Sequence, residues 1–237
     1  MPSKKERRQL IRPLLQRRPD LVYVGDEYLF FRQVGHYWLG VECAHVKRQY
    51  YFYSFVYPLF AGDSAFRFRA RGGPANKYYW QYVDPSWPSL EKGAAEICDL
   101  LEHRLLPTVA HIVNPEELAK SPIFSSPGFD AALGACFNGN FDEAERHVVA
   151  YLAKFGSTTM HFDSSTEKWV YRSYSIEDAT EADKFNKMDP WRVAYLGKLL
   201  QTDRSKVPAL LHEWEEHTVN AFKLNKYWTP TPFPCDG

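Results

Sequence analysis

The sequence predicts an α+β protein: a helix, an antiparallel β-meander of about five or six strands, then a C-terminal helical layer packed on the sheet. Three observations carry this. Twenty of the 38 aromatic residues lie between Tyr23 and Trp87. The densest run, Tyr50 to Tyr57, is bulky at both odd and even positions, as a strand covered on both faces requires. From Pro88 onward the apolar period changes from that of a strand to that of a helix.

The opening stretch SKKERRQLIRPLLQ spaces Leu10, Leu14, Ile11 and Leu15 for one helical face. Pro13 falls inside it and is expected to end or kink the helix early. Leu21–Val24 and Tyr28–Val34 flank Gly25-Asp26-Glu27, a hairpin turn. Tyr37–Val46 follows, then a polar turn at Lys47-Arg48-Gln49, then Tyr50–Phe60. Phe66–Arg71 and Tyr78–Val83 read as a further strand pair around Gly72-Gly73-Pro74. Short connections between successive strands imply an antiparallel order.

Leu90, Ala94, Ile97, Leu101 and Leu105 step along one helical face, with Ser89 or Ser86 as cap and Pro107 as limit. Asn114-Pro115-Glu116-Glu117 begins a short helix to about Lys120. Ser121–Gly128 reads as a linker. The domain expectation is therefore 1–120, helix plus sheet and covering helix, and 121–237, a helical region packed as one continuous unit with the first. In that second region Phe129–Phe137 and Phe141–Phe155 form a helical hairpin about Asn138-Gly139-Asn140. Gly156–Ser175 fits neither period. Asp189–Gln201 and Ser205–Tyr227 are helices, and the proline-rich end from Trp228 reads as an extended tail.

Several elements together resemble a bacterial family. They are the basic amphipathic helix, a meander with Phe30-Phe31 and Tyr37-Trp38, and Phe66-Arg67-Phe68-Arg69. A helix leading to Leu105-Leu106-Pro107, the Phe141–Leu152 helix and a last helix ending Ala221-Phe222-Lys223-Leu224 complete the order. The family is domain of unknown function four-three-zero-four, and the resemblance spans roughly residues 3 to 225 in outline. It carries no residues of established role. Similar small domains occur among immunity proteins beside bacterial toxin genes, so the resemblance implies a toxin-neutralising context by analogy.

Formal net charge is zero, but it is unevenly spread. Residues 1–18 hold seven Lys/Arg against one acid, and the remainder has 22 basic and 28 acidic residues, a net of −6. A sustained basic footprint is missing, so nucleic acid is not the expected partner. No signal-peptide pattern and no membrane-span-length apolar run is visible, which points to a cytoplasmic protein without a membrane partner. Cys43, Cys98, Cys136 and Cys235 have neither metal-type nor disulfide-framework spacing.

No catalytic motif is present, and no catalytic residue, metal ligand or cofactor is expected. The eight histidines include no HExxH, and Cys43 with His45 has no second pair. The sharpest pattern is Phe66-Arg67-Phe68-Arg69-Ala70-Arg71, which puts Arg67, Arg69 and Arg71 on one strand face. A returning strand sets either Tyr79 and Gln81 or Tyr78, Trp80 and Tyr82 beside them. Guanidiniums next to aromatic rings suit an anionic partner; the competing reading is a solvated face paired with carboxylates. The candidate binding residues are Arg67, Arg69, Arg71, Tyr78, Tyr79, Trp80 and Trp87, residue types that dominate interfaces. The expected function is a protein-binding, immunity-type module whose partner is a protein such as a toxin. One alternative is an enzyme acting on an anionic small molecule held by the arginines. A second is a peptide-binding helical scaffold at 129–225.

Overall fold

The computed structural model describes residues 4–25, 28–46, 49–61, 80–83, 86–110, 129–155, 158–163, 168–173, 175–186 and 189–236. Two compact units divide the chain. The first takes Met1–Leu59, Phe66–Leu118 and Val219–Thr231; the second takes Phe60–Ala65, Ala119–Thr218 and Pro232–Gly237.

The first unit opens with α1 (Lys4–Arg17). Leu10, Ile11 and Leu14 are buried on its inner face. The helix runs through Pro13 to Arg17 rather than ending early. Proline cannot donate the bond to the carbonyl four residues back, a cost of about 3 kcal/mol. Burial of the apolar face on both sides of Pro13 offsets it. After α1 the Leu21 amide donates to the Arg18 carbonyl at 3.1 Å, and the Arg18 guanidinium holds Asp20 at 2.8 and 2.6 Å. This turn delivers the chain into the sheet.

The sheet is an antiparallel meander in the order β1 (Val22–Val24), β2 (Tyr28–Val34), β3 (Tyr37–Val46), β4 (Gln49–Pro58), β5 (Trp80–Val83). Four strands have four residues or more, and the three-residue β1 extends the edge. The expected count of about five or six is thus on the high side for the strands described. The expected strand at Phe66–Arg71 lies outside the described residues, as do the helix at 115–120 and the linker at 121–128.

Alternation sorts the sheet residues into two covered faces. Leu29, Val41, Cys43, Tyr50 and Phe52 pack beneath α1 and the helical run that starts at α2 (Leu90–Leu100). Tyr28, Phe30, Trp38, Phe55 and Tyr57 face the opposite way, onto Val219, Phe222, Leu224 and Trp228. The layer over the first face therefore comes from residues 4–17 and 90–106. Gly40 sits where Phe30 and Phe55 meet, their ring centroids 5.5 Å apart and nearly perpendicular.

Ser89 caps α2 by accepting from the Lys92 amide. The helix then loosens into a π-helical turn, Leu101–Leu105, before α3 (Leu106–Ala110). Pro107 supplies no amide to the ladder, and the Ser54 hydroxyl donates to the Leu105 carbonyl from β4 at 3.0 Å. The Thr108 hydroxyl lies 2.7 Å from Ser54 Oγ and 2.6 Å from the same carbonyl. These polar groups satisfy one another inside the core.

The second unit contains α4 (Phe129–Phe137), α5 (Phe141–Phe155), a hairpin of β6 (Thr158–Asp163) and β7 (Lys168–Ser173), α6 (Asp189–Thr202) and the first twelve residues of α7 (Val207–Ala221). The α4–α5 hairpin turns at Gly139, whose φ of 72° lets the Asn140 amide reach the Ala135 carbonyl. The β6–β7 hairpin occupies the stretch that fitted neither period. The buried Arg192 guanidinium lies 5.4 Å from the Phe129 ring and 5.8 Å from Trp214, and donates to the Ala61 carbonyl. Such π-faces and a carbonyl stabilise a cation that water no longer solvates. The chain end is not a loose tail. Phe233 is buried among Phe60, Phe137 and His212, and Asp236 accepts from the Phe233 amide at 2.6 Å.

Candidate functional site

Of the residues singled out from the sequence, Trp80 and Trp87 are among those described. Arg67, Arg69, Arg71, Tyr78 and Tyr79 lie outside the described residues. Trp80 opens β5 opposite Tyr53 in the register. Trp87 belongs to the face that α2 covers: its ring centroid is 5.7 Å from Tyr50 and its Nε1 donates to Glu96 at 2.7 Å. Gly93 makes room for that ring, since a Cβ there would come within 2.5 Å of it. Trp87 is thus a packing residue with a satisfied indole.

A different surface in the first unit brings basic, aliphatic and aromatic side chains together. Lys5, Arg8 and Arg12 are spaced i, i+3 and i+7, so α1 sets them along one stripe away from its buried Leu10, Ile11 and Leu14. All three side chains are exposed. They line a groove of about 940 Å³ whose apolar lining includes Leu15, Leu21 and Val22, with Tyr23 and Tyr227 beside them. Among the described residues no carboxylate lines this groove.

The groove is framed by structure that is held elsewhere. The Arg18–Asp20 pair and the Leu21 amide bond fix β1 against the end of α1. Tyr227 arrives from the far end of the chain because α7 stops with Lys223 in the left-handed region, φ 56°, and the Leu224 amide bonds back to the Val219 carbonyl. Trp228 packs on the sheet, its amide donating to Leu224 O at 3.0 Å, while Tyr227 stays 41% exposed. The Lys226 ammonium stands 4.6 Å from the Tyr227 ring.

Two further grooves of this unit contain paired cations. Between α1 and α2 a groove of about 560 Å³ is crossed by Arg17 and Glu102, paired at 2.7 Å. That contact holds the Glu102 carboxyl below its ordinary range. A smaller groove of about 460 Å³ contains Phe31, with Arg18 and Arg32 over its ring. Arg18 is committed to Asp20, and Arg32 donates to the Ala110 carbonyl.

The thiols are poorly placed for nucleophilic chemistry. Cys43, Cys98 and Cys136 are buried, and desolvation pushes all three thiols upward, away from the reactive thiolate. Cys235, partly exposed, is pushed up to about 11, chiefly by burial. Among the described residues no group of three His, Cys, Asp or Glu side chains converges on a point where a metal ion would sit. Among those residues no helix is long and apolar enough to cross a membrane.

No family model, curated protein or solved structure matches this chain. The i, i+3, i+7 spacing of the basic stripe is legible in the sequence, on the outer side of an amphipathic helix. Its neighbours Tyr23 and Tyr227 carried no such signal, because only folding brings the chain end beside β1.

Proposed function

We propose that this chain is a protein-binding module of the immunity type, which neutralises a partner by covering the partner's working surface. One observation carries the reading: the groove that sets Lys5, Arg8 and Arg12 against Tyr23, Tyr227 and an aliphatic floor. Arginine and tyrosine dominate interface hot spots because each offers a large apolar body with a polar tip. Here the arginines stand on a helix whose other face is locked into the core, so little backbone ordering remains to be done on binding. The resemblance to the uncharacterised bacterial family, with its toxin-adjacent analogues, agrees with this reading. The stripe of Arg67, Arg69 and Arg71 belongs to the same proposal as a second contact.

Capture from the native host tests it. A tagged protein is expected to retain a specific protein, identified and then reconstituted as a purified pair. Changing Lys5, Arg8 and Arg12 together to Glu is expected to abolish retention, and changing Arg67, Arg69 and Arg71 to Ala to weaken it. The proposal fails if the wild type retains no protein, or if both variants retain it undiminished.

A further inference from the structure

Beyond the surface that carries the protein-binding reading, we infer that the groove between α1 and α2 takes a basic peptide segment with an apolar anchor. Each wall is a single helical row. Gln9, Pro13 and Arg17 lie at i, i+4 and i+8 on α1, and Glu91, Ala95 and Asp99 repeat that spacing on α2. Together they bound about 560 Å³.

The charges facing this groove do not cancel. Among the described residues Arg17 is the one guanidinium in the lining, and Glu102 holds it at 2.7 Å. Asp99 meets His103 at 3.7 Å, with both side chains exposed. Glu91 is exposed and has no partner among the described residues. Lys5 and Arg12 border the neighbouring groove and not this one. A further acceptor comes from the backbone. Residue 13 is proline, so the Gln9 carbonyl has no amide four residues on to accept from, and both residues line the groove. Carboxylates and a carbonyl short of its helical donor suit a ligand rich in N–H groups and positive charge. The same carboxylates repel a phosphate backbone.

Spacing decides the kind of cation. Glu91 and Asp99 are eight residues apart on a helix, roughly 12 Å along its axis. An extended peptide rises about 3.3 Å per residue, so cations four residues apart span about 13 Å. On such a peptide positions i, i+2 and i+4 share one face. The residue midway between the two cations then meets Ala95, which is exposed midway between the two carboxylates. A side chain as small as alanine leaves space there for a branched aliphatic anchor, beside Pro13 and the buried Ala94 and Cys98. Leu90, 40% exposed, adds apolar surface at the start of α2.

The test is fluorescence anisotropy with short synthetic peptides carrying a neutral dye. The first has a Lys-Ser-Leu-Ser-Lys core. The second replaces Leu by Ser, the third replaces both Lys by Glu, and the fourth sets the two Lys side by side. Spermidine serves as a small polyamine competitor. The first peptide is expected to bind, the second and fourth about tenfold more weakly and the third not at all. Raising salt from about 0.05 to about 0.3 M is expected to weaken binding severalfold. Glu91→Gln with Asp99→Asn is expected to lose at least about tenfold, and Ala95→Arg, which fills the groove with a cation, to abolish binding, with circular dichroism unchanged in both. Lys5→Glu with Arg12→Glu is expected to bind the peptide at least as tightly, because those side chains border the other groove. Failure of the first peptide to bind at about 1 mM overturns the inference. So does binding indifferent to Glu91 and Asp99, binding lost in the Lys5 and Arg12 variant, a third peptide that binds more tightly than the first, or complete displacement by spermidine at a concentration equal to the peptide's.

Discussion

Replacing Gly40 by alanine should destabilise the first unit by about 2–3 kcal/mol. Gly40 pairs with Phe30 on β2 and Phe55 on β4, and the two rings meet edge to face over it. A Cβ at this position would lie 2.4 Å from the Leu29 carbonyl oxygen, 2.7 Å from Phe55 Cζ and 3.1 Å from the Phe30 Cα. The ring can turn aside; the carbonyl and the Cα belong to the β2 backbone and cannot move without disturbing the β2–β3 pairing. Overpacking of a core costs typically 1–3 kcal/mol, and a clash with backbone falls in the upper part of that range. With a urea slope of about 1–3 kcal/mol per M, the midpoint of unfolding should fall by about 1 M. Because the chain has two compact units, bulk unfolding should be paired with hydrogen exchange read by segment. Protection should fall in β2, β3 and β4. In a Phe55→Leu background the glycine replacement should cost only slightly less, since the ring contact is relieved and the carbonyl contact remains. An unchanged midpoint for Gly40→Ala would refute the close packing of Phe30 and Phe55 across β3.

Three further outcomes are expected. Lys223→Gly should raise stability by about 0.5–1 kcal/mol, because Lys223 holds a left-handed conformation that glycine adopts without strain; a lower melting temperature would contradict the cap. Thiol titration at pH 8 should label Cys235 first and slowly, with Cys43 and Cys136 protected until the fold opens; rapid labelling of either would place it outside the core. The stability difference between wild type and Glu102→Gln should be small and acid-sensitive. The Arg17 hydrogen bond depresses the folded Glu102 carboxyl below its ordinary value of 4.5, so the contribution is full above that pH and disappears as pH falls through the folded value. A difference that grew in acid would show the pairing to be absent.

Periodicity alone located most elements. The change from strand to helix near Pro88, the hairpin at Asn138-Gly139-Asn140 and the strands at 28–34 and 37–46 follow from local patterns of bulk and turn residues, while the strand expected at 50–60 runs 49–58. The β6–β7 hairpin escaped because its residues alternate weakly and lie among polar ones. Pro13 misled for an instructive reason. Its local cost is real, but burial of Leu10, Ile11 and Leu14 around it is larger, and no window of sequence contains the surface that buries them.

The candidate site divides the same way. By itself the sequence determined a basic, amphipathic first helix and an aromatic sheet, since each depends on residue type and short-range spacing. The tertiary structure decided which aromatics are packed away and which stay exposed. It commits Trp87 to Tyr50, Gly93 and Glu96, and it brings Tyr227 from the chain end to the side of Lys5, Arg8 and Arg12. Exposure is a property of neighbours. Those neighbours are chosen by contacts between residues far apart in the chain, which no local pattern encodes.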